Sequence, residues 1–137
     1  MPKAVARRRE GYIHDVTIDD EHTLVIDEPE ASGGANEGPS PTRALAAALA
    51  SCTAITVEMY AARKGWEVGQ VEVEVEMGYD EKRTPSTFDV LLKVPEALDQ
   101  DQHDRLLAIA GRCPVHRALA AETQVVVKDR IEGPLPA

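Results

Sequence analysis

The chain has 137 residues, a formal net charge of −9, and aromatic content low enough to include only one Trp and one Phe. That length suits one domain, 1–137, whose core must be packed mainly by Ala, Val and Leu. The acidic balance speaks against nucleic acid as a partner, since counterion release needs a clustered basic surface and Arg7-Arg8-Arg9 is the only basic run. The N-terminus carries no apolar signal core, and the longest uncharged stretch is shorter than the ~18 residues of a membrane span. A cytoplasmic location without a membrane partner is therefore expected. Only two cysteines are present, Cys52 and Cys113, which is poor support for a structural staple. A disulfide in that compartment would be transient and catalytic.

In chain order, residues 4–9, 12–18 and 22–27 read as short strands, with Asp19-Asp20-Glu21 turning into the third. The linker from Asp27 to Pro41 is rich in Gly and Pro and has no regular pattern. It is long for a connection inside a compact domain, which marks it as a candidate functional loop. A helix follows, with Ser40 as N-cap, Pro41 in the first turn, Arg63 and Lys64 at its C-terminal end and Gly65 as the stop. Leu45, Leu49, Cys52, Thr56 and Met59 recur along one face. No residue between Arg43 and Glu58 is charged, so the helix is apolar or small nearly all round and must be covered nearly all round. A second subunit is the natural cover.

Val71 to Met77 alternates Val or Met with Glu, the pattern of a strand with one buried face. Residues 87–94 form its hairpin partner, presenting Phe88, Val90, Leu92 and Val94. Asp99 caps a helix over 100–111 that buries Leu106, Leu107 and Ile109–Ala110. Pro114 starts another short helix to about Ala121, and Thr123–Ile131 reads as a last strand. The order βββ-α-ββ-αα-β indicates an α+β fold with helices on one side of a largely antiparallel sheet.

Two readings of Cys52 stand side by side. A free cysteine in an apolar helix is commonly inert packing. A reactive thiol there needs a cation, because Cys52 lies roughly 16–18 Å into the helix, beyond the reach of the helix dipole, and burial raises a thiol pKa. The Arg7–Arg9 cluster is the obvious source. Cys113 has more suggestive neighbours in Arg112-Cys113-Pro114-Val115-His116-Arg117, an electropositive setting for a thiolate or a resolving thiol. Cys113 and His116 supply only two of the four ligands that zinc takes, and the other histidines are scattered, so neither a metal nor a cofactor is expected. Gly33-Gly34 and Gly38 lack a nucleotide-loop context, Ser40 and Ser51 lack a nucleophile elbow, and Glu72, Glu74 and Glu76 read as a solvated sheet face.

Gly38-Pro-Ser-Pro-Thr42, the Ala/Leu-rich helix with Ser51-Cys52-Thr53, Tyr60-Ala-Ala-Arg-Lys-Gly-Trp66 and Cys113-Pro-Val-His116 together resemble the OsmC/Ohr superfamily, in its OsmC-like branch. The resemblance spans the chain from Asp27 to the final strand. It implies an intertwined homodimer with long central helices between two sheets, and a thiol-dependent peroxidase acting on organic hydroperoxides. By the same resemblance Cys52 is the peroxidatic thiolate, Cys113 the resolving thiol, and an external dithiol of lipoyl type the reductant. Family peroxidases place a Glu ten residues before the first cysteine to hold a thiolate-stabilising Arg. Thr42 stands at that position here, and the glycine-rich turn carrying the Arg is absent. Arg9 is the nearest candidate for that cation, with Arg7 and Arg8 open as alternatives.

Overall fold

The structure, a computed structural model, describes residues 1–136. Strands β1 (Ala4–Glu10), β2 (Ile13–Ile18) and β3 (His22–Ile26) form an antiparallel sheet in the order β1-β2-β3. Asp19 and Asp20 both adopt positive φ, and the Glu21 amide donates to the Ile18 carbonyl at 3.0 Å. Since Ile18 pairs with His22, the hairpin loop is the three residues 19–21. Between β1 and β2 the register slips from Arg8↔His14 to Glu10↔Ile13, leaving Arg9 without a cross-strand partner. Such a bulge re-aims the side chain it carries.

The Gly/Pro-rich linker is more ordered than its composition suggests. It contains a 3-10 turn at Glu30–Ser32 and is pinned by Asp27, whose side chain is buried. One carboxylate oxygen accepts the Glu28 amide at 2.7 Å, and the other accepts those of Ala35 at 3.2 Å and Glu37 at 3.0 Å. Gly34 and Gly38 permit the close approach, since a Cβ on either would collide with the carbonyl oxygen of Glu28 or Val25.

Helix α1 runs Pro41–Lys64 between the expected caps: the Ser40 hydroxyl accepts the Arg43 amide, and Gly65 closes the helix at φ 70°. Its buried line is Leu49, Thr53, Val57 and Ala61. The face expected from the sequence shares only Leu49 with that line; Leu45, Cys52 and Thr56 are half-buried and Met59 is 63% exposed. A helix apolar on nearly every side offers no contrast from which to pick the buried one. Hairpin strands β4 (Glu72–Tyr79) and β5 (Pro85–Lys93) pair Val73↔Leu92, Val75↔Val90 and Met77↔Phe88, as the alternation requires. The glutamates face out, and Lys93 bridges Glu72 and Glu74 at 3.5 and 2.5 Å.

Helix α2 (Gln100–Ala110) begins with a full capping box, Asp99 with Gln102. It buries Leu106 and Ala110, whereas Leu107, expected inside, is 67% exposed. Helix α3 is Pro114–Leu119, ending short of Ala121. The core joins Val57 and Ala61 of α1 to Val68, Leu106 and Ala110, with Tyr60 and Trp66 in an edge-to-face contact at its margin. Helix α1 packs on β4, α2 and α3, and to a lesser extent on β5, whereas the three-stranded sheet shares no comparable contact with it.

The expected final strand is absent: 124–131 has no regular structure, and Val125, Val126, Val127 and Ile131 are exposed. Both sheets have open edges, yet this segment pairs with neither, so strand propensity alone does not make a strand. The fold is thus α+β as expected, with the order βββ-α-ββ-αα.

Asp27 carries a pH signature. The Glu37 amide, and after it those of Glu28 and Ala35, hold its carboxyl below the ordinary carboxylate value against the opposing effect of burial. Its stabilising effect is therefore present above the unfolded value of ~3.9 and is lost as the pH falls through the lower folded value. Asp27→Asn is expected to lower the urea midpoint at neutral pH, with the gap from wild type closing in acid. A gap independent of pH would refute this assignment.

Candidate functional site

Helix α1 and the corner between α2 and α3 bring the two cysteines together. Cys52 and Cys113, 61 residues apart, are joined as a disulfide with their Cα atoms 5.8 Å apart, inside the range such a bond spans. The sulfurs differ in setting, because Cys52 is half-buried on α1 while Cys113 is wholly buried. Cys113 is also the N-cap of α3, where Pro114 brings no N–H, and its Sγ accepts the His116 amide at 3.4 Å.

The arginines expected around this pair are engaged elsewhere. Arg9 grips Asp15 with two hydrogen bonds, Nε at 3.1 Å and Nη2 at 2.5 Å, an arrangement that the bulge at Arg9 allows. That contact holds the Asp15 carboxyl below its ordinary value and the Arg9 guanidinium above its own. Arg8 donates to the Gly11 carbonyl at 2.9 Å, and Arg7 is exposed. Near Cys113, Arg112 is exposed and Arg117 pairs with Glu122 at 3.7 Å. Among the described residues no guanidinium hydrogen-bonds either sulfur, so the electropositive setting expected for Cys113 is not assembled within one chain. The structure brings Cys52 and Cys113 together and keeps Arg9 apart, on the three-stranded sheet.

Thr42 has its own partner, since its hydroxyl lies 2.8 Å from the Tyr79 hydroxyl and ties the start of α1 to the end of β4. Neither Asp15 nor Tyr79 emerged from the sequence. Asp15 could have been found as the carboxylate facing Arg9 across the short turn at Gly11, while Tyr79 offers no local signal.

Beside the cysteine pair lies a cavity of about 170 Å³ lined by Leu49, Phe88, Val90, His116, Leu119 and Ala120. Neither cysteine lines it, but Leu49 is three residues before Cys52 on α1 and His116 three after Cys113, and Phe88 and Val90 come from β5. Its lining is apolar apart from His116, whose Nδ1 is buried with no hydrogen-bond partner. Such a site suits two-electron thiol–disulfide exchange next to a pocket for an apolar organic group.

A family model described as OsmC-like protein matches residues 34–128. No curated protein matches the chain. Among solved structures, a protein of Psychrobacter arcticus assigned to osmotic stress induction and detoxification response is 20% identical, with a TM-score of 0.77 over 84% of this chain and 85% of that one. An OsmC-like protein of Mycoplasma pneumoniae is 17% identical, with a TM-score of 0.74 over 88% and 87%. The organic hydroperoxide resistance protein OhrB of Bacillus subtilis is 25% identical, with a TM-score of 0.60 over 86% and 89%.

Closing a loop of this length constrains the unfolded chain by about 4 kcal/mol in the chain-entropy account. Oxidised protein is expected to unfold at a higher urea concentration than protein kept in excess reductant, and to show two titratable thiols only after reduction. Two free thiols in the protein after air oxidation would contradict the pairing.

Proposed function

The chain belongs to the OsmC-like protein family, and from that premise we propose that it is a cytoplasmic, cysteine-based reductase of organic hydroperoxides. The carrying observation is the Cys52–Cys113 pair beside an apolar cavity. The OhrB relative, a hydroperoxide resistance protein, supports the same reading. Cys52 is the peroxidatic residue because its sulfur is the more accessible of the two. Its thiolate attacks the terminal peroxide oxygen, the O–O bond breaks, an alcohol leaves and a sulfenic acid remains. Cys113 then condenses with the sulfenic acid, releasing water and forming the disulfide. An external dithiol of lipoyl type restores both thiols by exchange and leaves oxidised.

The working form is a homodimer. Much of α1 is open in one chain: only Leu49, Thr53, Val57 and Ala61 along it are buried. Ile55 and Met59 on α1 and Leu107 on α2 are exposed, and the three-stranded sheet does not cover α1 of its own chain. In the dimer the sheet of one chain covers α1 of the other, and Arg9, oriented by Asp15, serves the partner's thiolate. Asp15 then does what the family's glutamate does, and Thr42 is free to bond Tyr79.

A second reading is favoured by the absence of a cation against the sulfurs within one chain: a dimeric thiol or small-ligand binding protein, or redox sensor, on the same fold. The two part company in stopped-flow mixing with cumene hydroperoxide. Cys52→Ser is expected to abolish consumption, and Cys113→Ser to accumulate a sulfenic acid that dimedone labels. Undiminished consumption by Cys52→Ser would sink the peroxidase. Light scattering is expected to give twice the 14.9 kDa chain mass, and Arg9→Ala to slow Cys52 oxidation at least tenfold; a monomer of normal reactivity would refute the shared site.

A further inference from the structure

We propose that His116 is a catalytic residue, the proton donor to the leaving alkoxide when Cys52 reduces a hydroperoxide. The inference rests on the thiol-peroxidase reading above and adds a step that it leaves open. Cleaving R–O–OH by thiolate attack expels RO⁻, a strongly basic leaving group, into a cavity whose walls are Leu49, Phe88, Val90, Leu119 and Ala120. An alkoxide formed among apolar side chains is poorly stabilised even with a guanidinium at the thiolate, so its departure is slow unless a proton arrives during O–O cleavage.

Only one side chain lining that cavity can carry a proton, and it is His116. The imidazole Nδ1 is buried and has no hydrogen-bond partner. That atom is closed to water, so it is a site held off from solvent rather than part of the cavity surface, and the rest of His116 lines the wall. Two features place the residue beside the sulfurs: it stands in the first turn of α3, and its backbone amide is bonded to Cys113 Sγ at 3.4 Å. Imidazole is also the side chain that exchanges protons readily near neutral pH. Arginine does not serve instead, since a guanidinium keeps its proton in a protein: Arg9 is assigned to the thiolate, and Arg117 pairs with Glu122.

The step balances. The Cys52 thiolate forms the S–O bond as the O–O bond breaks, so sulfur is oxidised and the peroxide reduced by two electrons. The proton on the imidazole moves to the proximal oxygen, which leaves as the alcohol. Ionisation of the next Cys52 thiol supplies the proton that reloads the ring. A cavity of about 170 Å³ is close to the ~150 Å³ apolar cavity that accepts benzene, so the organic group served is ring-sized or a small branched alkyl.

Two peroxides separate this role from a structural one. Cumene hydroperoxide releases an alkoxide that needs a proton, whereas peracetic acid releases acetate, which does not. In single-turnover oxidation of reduced protein, His116→Gln is expected to slow the reaction with cumene hydroperoxide by about 10²-fold and to leave that with peracetic acid within twofold of wild type. Exogenous imidazole should restore much of the rate to His116→Ala. Equal slowing with both oxidants, or none with either, would overturn the role of His116 while leaving the peroxidase intact. A wild-type protein inert to cumene hydroperoxide would remove the peroxidase reading, and this inference with it.

Discussion

Helix α1 imposes the constraint to which the rest of the molecule answers. It is 24 residues long and uncharged from Ala44 to Val57, so leaving it in water would cost more than the fold could recover. Its own chain covers one line of it: Leu49 and Thr53 lie by the cysteine site, while Val57 and Ala61 meet Leu106, Ala110 and Val68 in the core. The same helix therefore anchors the core at its C-terminal half and presents a thiol from its middle. The disulfide to Cys113 joins these two duties, tying the helix to the corner where α2 turns into α3.

Electrostatics divides the molecule in another way. The apolar half holds the sulfurs, and the three-stranded sheet holds the well-placed guanidinium, oriented by a carboxylate on the neighbouring strand. A thiolate among apolar side chains is costly without a cation. The separation of the two groups within one chain is the physical reason for reading the site as shared between chains. On the proposed reading Asp15 takes the part of the acidic residue expected at Thr42, since Arg9 finds its carboxylate on its own sheet.

Features set by local chemistry were legible in the sequence. Ser40, Pro41 and Gly65 bounded α1, Asp99 and Gln102 started α2, and the alternation from Val71 to Met77 oriented the hairpin. Features set by distant parts were not. Which face of α1 is buried depends on what packs there, and an all-apolar helix carries no preference of its own. Thr123–Ile131 has strand composition, but composition does not decide whether a segment pairs with an edge. The Asp27 clamp links residues up to ten positions apart through backbone amides, which no side-chain pattern announces. The pairing of the cysteines was implied by family resemblance rather than by spacing. The bulge that aims Arg9 at Asp15 was invisible for the same reason that bulges generally are: it is a single-residue departure from register.

The sulfur of Cys113 does two jobs with one atom, as redox partner of Cys52 and as acceptor for the first turn of α3. The second role does not depend on the first, because a thiol or thiolate can accept the His116 amide as readily as a disulfide sulfur. Reduction of the bond thus leaves α3 capped, and on the proposed mechanism the resolving group waits in place instead of being released with a frayed helix. Serine keeps that cap and alanine does not, so the two replacements are not equivalent ways of deleting this thiol: one removes chemistry alone, the other removes chemistry together with the local order that holds His116.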